Sequence, residues 1–232
     1  MDLILDGLLK AFSLIFSLDR EVFSITLLSL QVSGLATFIS LLFGISFGTA
    51  VALAQFPGKN ILVSLINTGM ALPPVVVGLF VTVFFWRNGP LGFMEILYTP
   101  TVMIIAQAII ATPIVTGITL AAMQHLPKKL RLQILALGAT RMQMLWILMR
   151  EARLPLLAAV MAGFGGVISE VGASIMVGGN IKGYSRVLTT ATVMETSRGN
   201  FDMAIALSII LLLLVFLINA VLTIVQQRER PR

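Results

Sequence analysis

The residues of this chain that could do chemistry are few. It contains no cysteine and one histidine, His125, and Glu170 is the only formal charge inside its apolar runs. A thiol nucleophile, a cysteine-ligated metal and a disulfide framework are excluded on that count. With no second imidazole or thiolate to complete a ligand set, His125 reads as a surface or interface residue. An intramembrane enzyme would need a catalytic set at membrane depth, and Glu170 has no partner carboxylate in any apolar run. The sole Gly-Lys pair, Gly58-Lys59, is followed by Asn60 and does not belong to a G-x-x-x-x-G-K-[ST] loop, so the chain cannot cradle ATP phosphates.

What remains is mostly uncharged. Glycine stands at 163, 165, 166, 172, 178, 179 and 183, with Ser169, Ser174 and Asn180 as neutral donors among them. Such density lets helices approach closely and lets backbone N–H groups face a cavity. A carboxylate at bilayer depth costs on the order of 3 kcal/mol, so Glu170 must face protein or water. It is either a gate residue or a carboxylate that caps backbone N–H groups or pairs with an arginine; as a direct ligand of an anion it would be repelled. Pro73-Pro74 and Pro113 interrupt helix hydrogen bonding, either as kinks or where a cavity is lined. The candidate passage residues are Pro73, Pro74, Glu170, Gly172, Ser174, Gly178, Gly179 and Asn180.

The elements that must position these residues are membrane helices. Of 232 residues 58% are hydrophobic and 11% charged, with mean hydropathy +1.01, too little polar surface to face water. Runs nearly or wholly free of charge cover 22–58, 60–86, 96–127, 154–181 and 203–227, each long enough to span. The expected class is all-α, with five transmembrane helices in one domain, 22–227. Residues 1–21 carry an apolar stripe, Leu3, Ile4, Leu8, Ala11, Phe12, Ile15 and Phe16, broken by Asp6 and Lys10. That pattern predicts an interfacial amphipathic helix on membrane lipid. A basic tail fills 228–232. The net charge of +6 does not indicate nucleic acid, because the basic residues sit in short gaps between spans. One alternating set of gaps holds 10 Lys and Arg against 6 in the other, counting Lys59, 128–153 and 228–232 in the first. The positive-inside rule then puts the N-terminus outside and the C-terminus in the cytoplasm of a multi-pass cell-membrane protein.

Most of the inner polar mass is one loop, 124–153. Pro127 suits the first turn of a helix and Gly138 its end. The intervening helix is basic on one side and carries Leu130, Ile134 and Leu137 on the other. Too short to span, it must lie on anionic lipid or dock in a groove of a cytoplasmic partner.

The loop resembles the cytoplasmic loop of ATP-binding-cassette importer permeases. Leu137-Gly138-Ala139 matches the centre of that pattern and Pro155 a later proline, whereas Leu132-Gln133-Ile134 replaces Glu-Ala-Ala, Leu148 an Ile, and Arg150-Glu151 a Leu-Pro. Leu72-Pro-Pro-Val-Val-Val-Gly78, Asn88-Gly-Pro-Leu-Gly92 and the run from Ile168 to Gly183 are similar to the molybdate, tungstate and sulfate permeases. Ser-Glu-Val-Gly-Ala-Ser at 169–174 with Arg186-Val-Leu-Thr-Thr190 looks most like the tungstate branch. The resemblance, over roughly 22–227, implies a type I importer fold and a homodimer of permease subunits. It also implies two cytoplasmic ATPase subunits that use ATP and Mg, and an extracytoplasmic binding protein that delivers the oxyanion. No cofactor is expected on this chain. The loop helix would be the coupling element, with Leu130, Ile134, Ala136, Leu137, Gly138, Ala139 and Arg141 facing the ATPase. A gradient-driven carrier is the rival, but such carriers show intramembrane ionisable pairs and inverted repeats, and here there is one charge and no echo between halves. A structural scaffold would not need the glycine-rich segment.

The charge count makes a first prediction. A reporter fused to the C-terminus should be active only on the cytoplasmic side; activity confined to the outside would reverse the topology.

Overall fold

The computed structural model describes residues 2–17 and 19–228, and its regular structure is entirely helical. The elements are α1 (Asp2–Phe16), α2 (Arg20–Leu53), α3 (Lys59–Met70), α4 (Pro74–Phe85), α5 (Pro100–His125), α6 (Lys128–Ala136), α7 (Arg141–Glu151), α8 (Arg153–Ile168), α9 (Gly172–Gly178), α10 (Leu188–Ser197) and α11 (Phe201–Arg228), with a single 3-10 turn at Gly92–Met94.

The central contact is between α2 and α5, which run in the same direction. The buried face of α2 carries Ser29, Ser33, Thr37, Ser40, Gly44 and Gly48. Lipid supplies no hydrophobic drive for helices to associate, so small residues that let backbones meet do the work. A Cβ on Gly44 would stand 2.7 Å from Val115 Cγ1, and one on Gly48 would stand 2.7 Å from the Thr116 carbonyl oxygen. The hydroxyls bond back to their own helix, Ser29 Oγ to Ile25 O at 2.7 Å and Thr37 Oγ1 to Ser33 O at 2.6 Å. These two buried donors are thereby satisfied without water, whereas the buried Thr49 and Thr119 hydroxyls on the same helices meet no partner among the described residues. Helix α8 closes on the same seam, with Gly163 against Val115.

Three helices, Arg20–Leu53, Pro100–His125 and Phe201–Gln227, are long and apolar enough to cross a membrane, and two bent pairs raise the number to five if each counts as one span. The second run, 60–86, is not a kinked helix but two helices at 95°. Pro73 lacks an N–H and holds extended geometry (φ −61°, ψ 123°) before Pro74 restarts the helix at its first turn. The fourth run, 154–181, divides at 169–171 into α8 and α9, and α7 bends by 70° into α8. Pro113 is absorbed inside α5.

Helix α1 is seated against α11: Gly7 meets Ile205, Lys10 pairs with Asp202 at 2.5 Å, and Ala11 is buried. Ile4, Leu5, Leu9, Phe12 and Phe16 face outward, as lipid-facing residues would. Of the basic tail, 229–232 lie outside the described residues.

Gly48→Val should force α2 off α5, costing about 2 kcal/mol and lowering the melting temperature of the purified protein. Gly34→Ala, where an added Cβ meets nothing within 4 Å, should leave it unchanged or slightly higher, since alanine favours the helix. Equal effects at both positions would remove the seam from its central place.

Candidate functional site

The loop helix forms where the sequence places it. Pro127 is the N-cap of α6, and Gly138 takes a left-handed backbone (φ 81°) that an L side chain rarely adopts. Two bonds close the helix end, Gly138 N–H to Leu135 O and Ala139 N–H to Ile134 O. Thr140 then starts α7 with a capping box: its hydroxyl accepts from Gln143 N, and Gln143 Oε1 accepts from Thr140 N at 2.8 Å. The two short helices form a knob seated on the bundle. Ile134 is buried with Met123, Met144, Leu148 and Leu156, and Leu130 and Ala139 pack on the same cluster. Arg131 Nη1 donates to Leu53 O at 3.1 Å, tying α6 to the end of α2. Lys59 Nζ holds the same end through Ala52 O and Ala54 O.

The apolar side expected to face a partner is therefore divided. Leu130 and Ile134 anchor the knob inward, whereas Leu137 is 87% exposed, and Ala136, Gly138 and Arg141 are exposed beside it. Sequence reasoning missed Leu132 (66% exposed), Met142 (75%) and Trp146 (61%). Met142, Trp146 and Met149 recur at helical spacing, which is the signal that could have found the last two. Leu137, Ala139, Met142, Trp146 and Ile147 line an open groove of about 640 Å³, and the Arg150 guanidinium lies 5.4 Å from the Trp146 ring centre. Exposed His125 belongs to no group of three metal-ligating side chains among the described residues.

The two membrane breaks lie side by side. A Cβ on Gly78 would come 2.8 Å from Ala173 Cα, and one on Gly172 would come 2.8 Å from Val75 Cγ2. The starts of α4 and α9, with Pro73, Pro74, Glu170 and Gly172, are thus brought together. Glu170 Oε1 accepts from Ala173 N at 2.9 Å, so its carboxylate caps α9; its carbonyl oxygen accepts from Thr189 Oγ1 at 3.0 Å. Ser174 does not line an open space: fully buried, it accepts from Gln107 Nε2 at 3.2 Å, and Gln107 Oε1 accepts from Ser33 Oγ at 3.3 Å. Gly178 is packed on Met103, and Gly179 (φ 68°) lies beneath the Tyr98 ring. Asn180 (φ 50°) donates to Thr190 O. The segment 179–190 folds back into the protein, because Ser185 Oγ bonds Gly178 O and Leu188 N–H donates to Ser29 Oγ at 2.8 Å. That return buries Arg186, which the sequence presents as one more charge in a gap between spans. Gln107, Ser33 and Thr189 were likewise unassigned.

The whole arrangement has known counterparts. The family described as binding-protein-dependent transport system inner membrane component matches residues 25–232. The chain is 40% identical over 227 residues to the tungstate uptake system permease protein TupB of Peptoclostridium acidaminophilum, covering 98% of this chain and all of that one. It is 43% identical over 202 residues to a probable anion ABC transporter permease protein of Haloferax volcanii, covering 85% and 87% of the two chains. Among solved structures, the inward-facing MetNI methionine ABC transporter superposes with a TM-score of 0.73 at 18% identity, over 94% of this chain and 99% of that one, a likeness of fold. With its helical bundle, paired membrane breaks and seated knob, the chain belongs to the binding-protein-dependent inner membrane components, the permease subunits of ABC transporters.

Proposed function

We propose that this chain is the permease of an ATP-driven importer of a tetrahedral oxyanion, tungstate in the first place, with molybdate and sulfate as chemically similar cargo. Relatives named for tungstate uptake and for molybdenum transport support that substrate class. The working unit is a homodimer with two ATPase subunits on the cytoplasmic face and an extracytoplasmic binding protein on the other. The N-terminus is outside and the C-terminus inside, which puts the more basic gaps in the cytoplasm.

The observation that carries the reading is the exposed surface of the knob. Leu132, Leu137, Met142 and Trp146 stand out on a segment rich in Lys and Arg. An apolar patch rimmed by polar residues marks a protein interface, and aromatic, methionine and arginine side chains compose the centres of such interfaces. Buried Ile134 and the Arg131 bond to Leu53 O make the knob one body with the end of α2, so a push on the patch reaches the bundle. Backed by buried Ser174 and Gly178, the passage runs by the paired breaks at Pro73-Pro74 and Glu170-Gly172 and on past Gly179 and Asn180. Its donors are hydroxyls, amides and backbone N–H groups, which pass an anion without trapping it; Glu170 positions α9 and leaves the cargo to neutral groups.

Leu137→Asp should leave membrane insertion and melting temperature unchanged, because the side chain contacts little of its own chain, and should reduce co-purification of the ATPase subunit at least tenfold. Gly138→Pro, which cannot adopt the left-handed backbone, should abolish transport-linked ATP hydrolysis. Normal co-purification with Leu137→Asp would refute the coupling assignment.

A further inference from the structure

A second cluster of charges lies at the other end of α2, about 48 Å from Leu53 along the helix at its normal rise. Glu21 sits there between two cations: its Oε2 is 2.7 Å from Lys182 Nζ and its Oε1 is 3.8 Å from Arg186 Nη1. The Arg186 side chain is only 9% exposed, yet its bonds are poor. Nη2 reaches Asn180 O at 3.4 Å, and Nε meets no acceptor among the described residues. A guanidinium offers five donors in a rigid fork suited to two oxygens of an anion, and burying it with so few short bonds is costly. The remaining acids of the adjoining cavity, about 220 Å³, are committed elsewhere. Asp19 Oδ1 accepts from Glu21 N and Val22 N, and Glu195 bonds Arg198 at 3.0 Å and Asn200 at 2.7 Å.

What is left over is one carboxylate held by two cations and a donor fork that is not filled, in a cavity whose lining acids (Asp19, Glu21, Glu195) and bases (Lys182, Arg186, Arg198) balance. We propose that Lys182 and Arg186 form an oxyanion-receiving station, in which the Glu21 carboxylate stands in for a tetrahedral dianion and swings aside when one arrives. Glu21 and Lys182 are 45% and 66% exposed, so the carboxylate has water to move into. A dianion matches the two cations in charge and can offer one oxygen to Lys182 and two to the Arg186 fork, including the unused Nε. The station rests on the oxyanion reading above and deepens it: the passage proper carries no fixed cation, and this site supplies one at its far end from the ATPase knob.

Titration of sodium tungstate into the full chain in lipid nanodiscs, followed by calorimetry in low-chloride buffer, tests it. Wild type should bind, with sulfate competing and millimolar chloride not. Lys182→Gln and Arg186→Gln should each weaken binding at least tenfold, and Glu21→Gln should tighten it about fivefold by removing the competing carboxylate. Because Lys182 is largely exposed, its variant keeps the test valid if Arg186→Gln does not fold. Absence of binding in both wild type and Glu21→Gln, unchanged affinity in Lys182→Gln, or weaker binding in Glu21→Gln would each overturn the station. ATPase co-purification through Leu137 reads the permease assignment separately, so the two can fail independently.

Discussion

Close backbone contact between α2 and α5 is the constraint on which the rest of this structure depends. Two helices of 34 and 26 residues are brought to van der Waals distance over Gly44 and Gly48, in a setting where apolar side chains gain nothing by leaving lipid. Along that seam Ser33 pairs with Gln107 and Gln107 with Ser174, and the pairing reaches from α2 through α5 into the short helix beyond the fourth-run break. The ends of α2 carry the two features for which a function is proposed above, Arg131 on Leu53 O at one and Glu21 at the other. The helix is thus a spine to which the knob, the breaks and the charged end are all attached.

Function then follows from where the chain is stiff and where it is interrupted. A bilayer tolerates irregular backbone only if protein or water satisfies it. The break at 169–171 is satisfied internally, with Glu170 holding Ala173 N and Thr189 holding Glu170 O. The break at 71–73 uses proline, which has no N–H to satisfy. Interruptions built this way are stable in lipid and leave α4 and α9 as short helices packed on each other and on α5; on the proposed reading they shift together when the spine is pushed. On the proposed reading this is how ATP hydrolysis on another chain becomes movement in a chain that has no nucleotide site.

Much of this was legible in the sequence. The apolar runs gave the crossings, and Pro127 with Gly138 bounded α6, because proline and a left-handed glycine impose backbone geometry locally. The severity of the Pro73-Pro74 break was not legible: proline removes a bond and fixes one angle but does not set the direction in which the chain resumes. Nor was the division of α6, since which leucines turn inward depends on the α7–α8 surface that receives Ile134. Arg186 was hidden for a related reason. Its burial comes from bonds between distant residues, Ser185 to Gly178 and Leu188 to Ser29, that no local pattern announces. Glu170 kept two readings until its bond to Ala173 N made it a cap.

The central claim is that this chain is the passive membrane half of a pump, moved through its knob by a separate motor. Uptake of labelled tungstate into proteoliposomes tests it most directly, with the chain reconstituted alone or with its ATPase subunit and internal ATP, and the binding protein added outside. Accumulation should require both added proteins and ATP, and should be absent for the chain alone under an imposed proton or sodium gradient. Accumulation by the chain alone, driven by either gradient, would contradict the account.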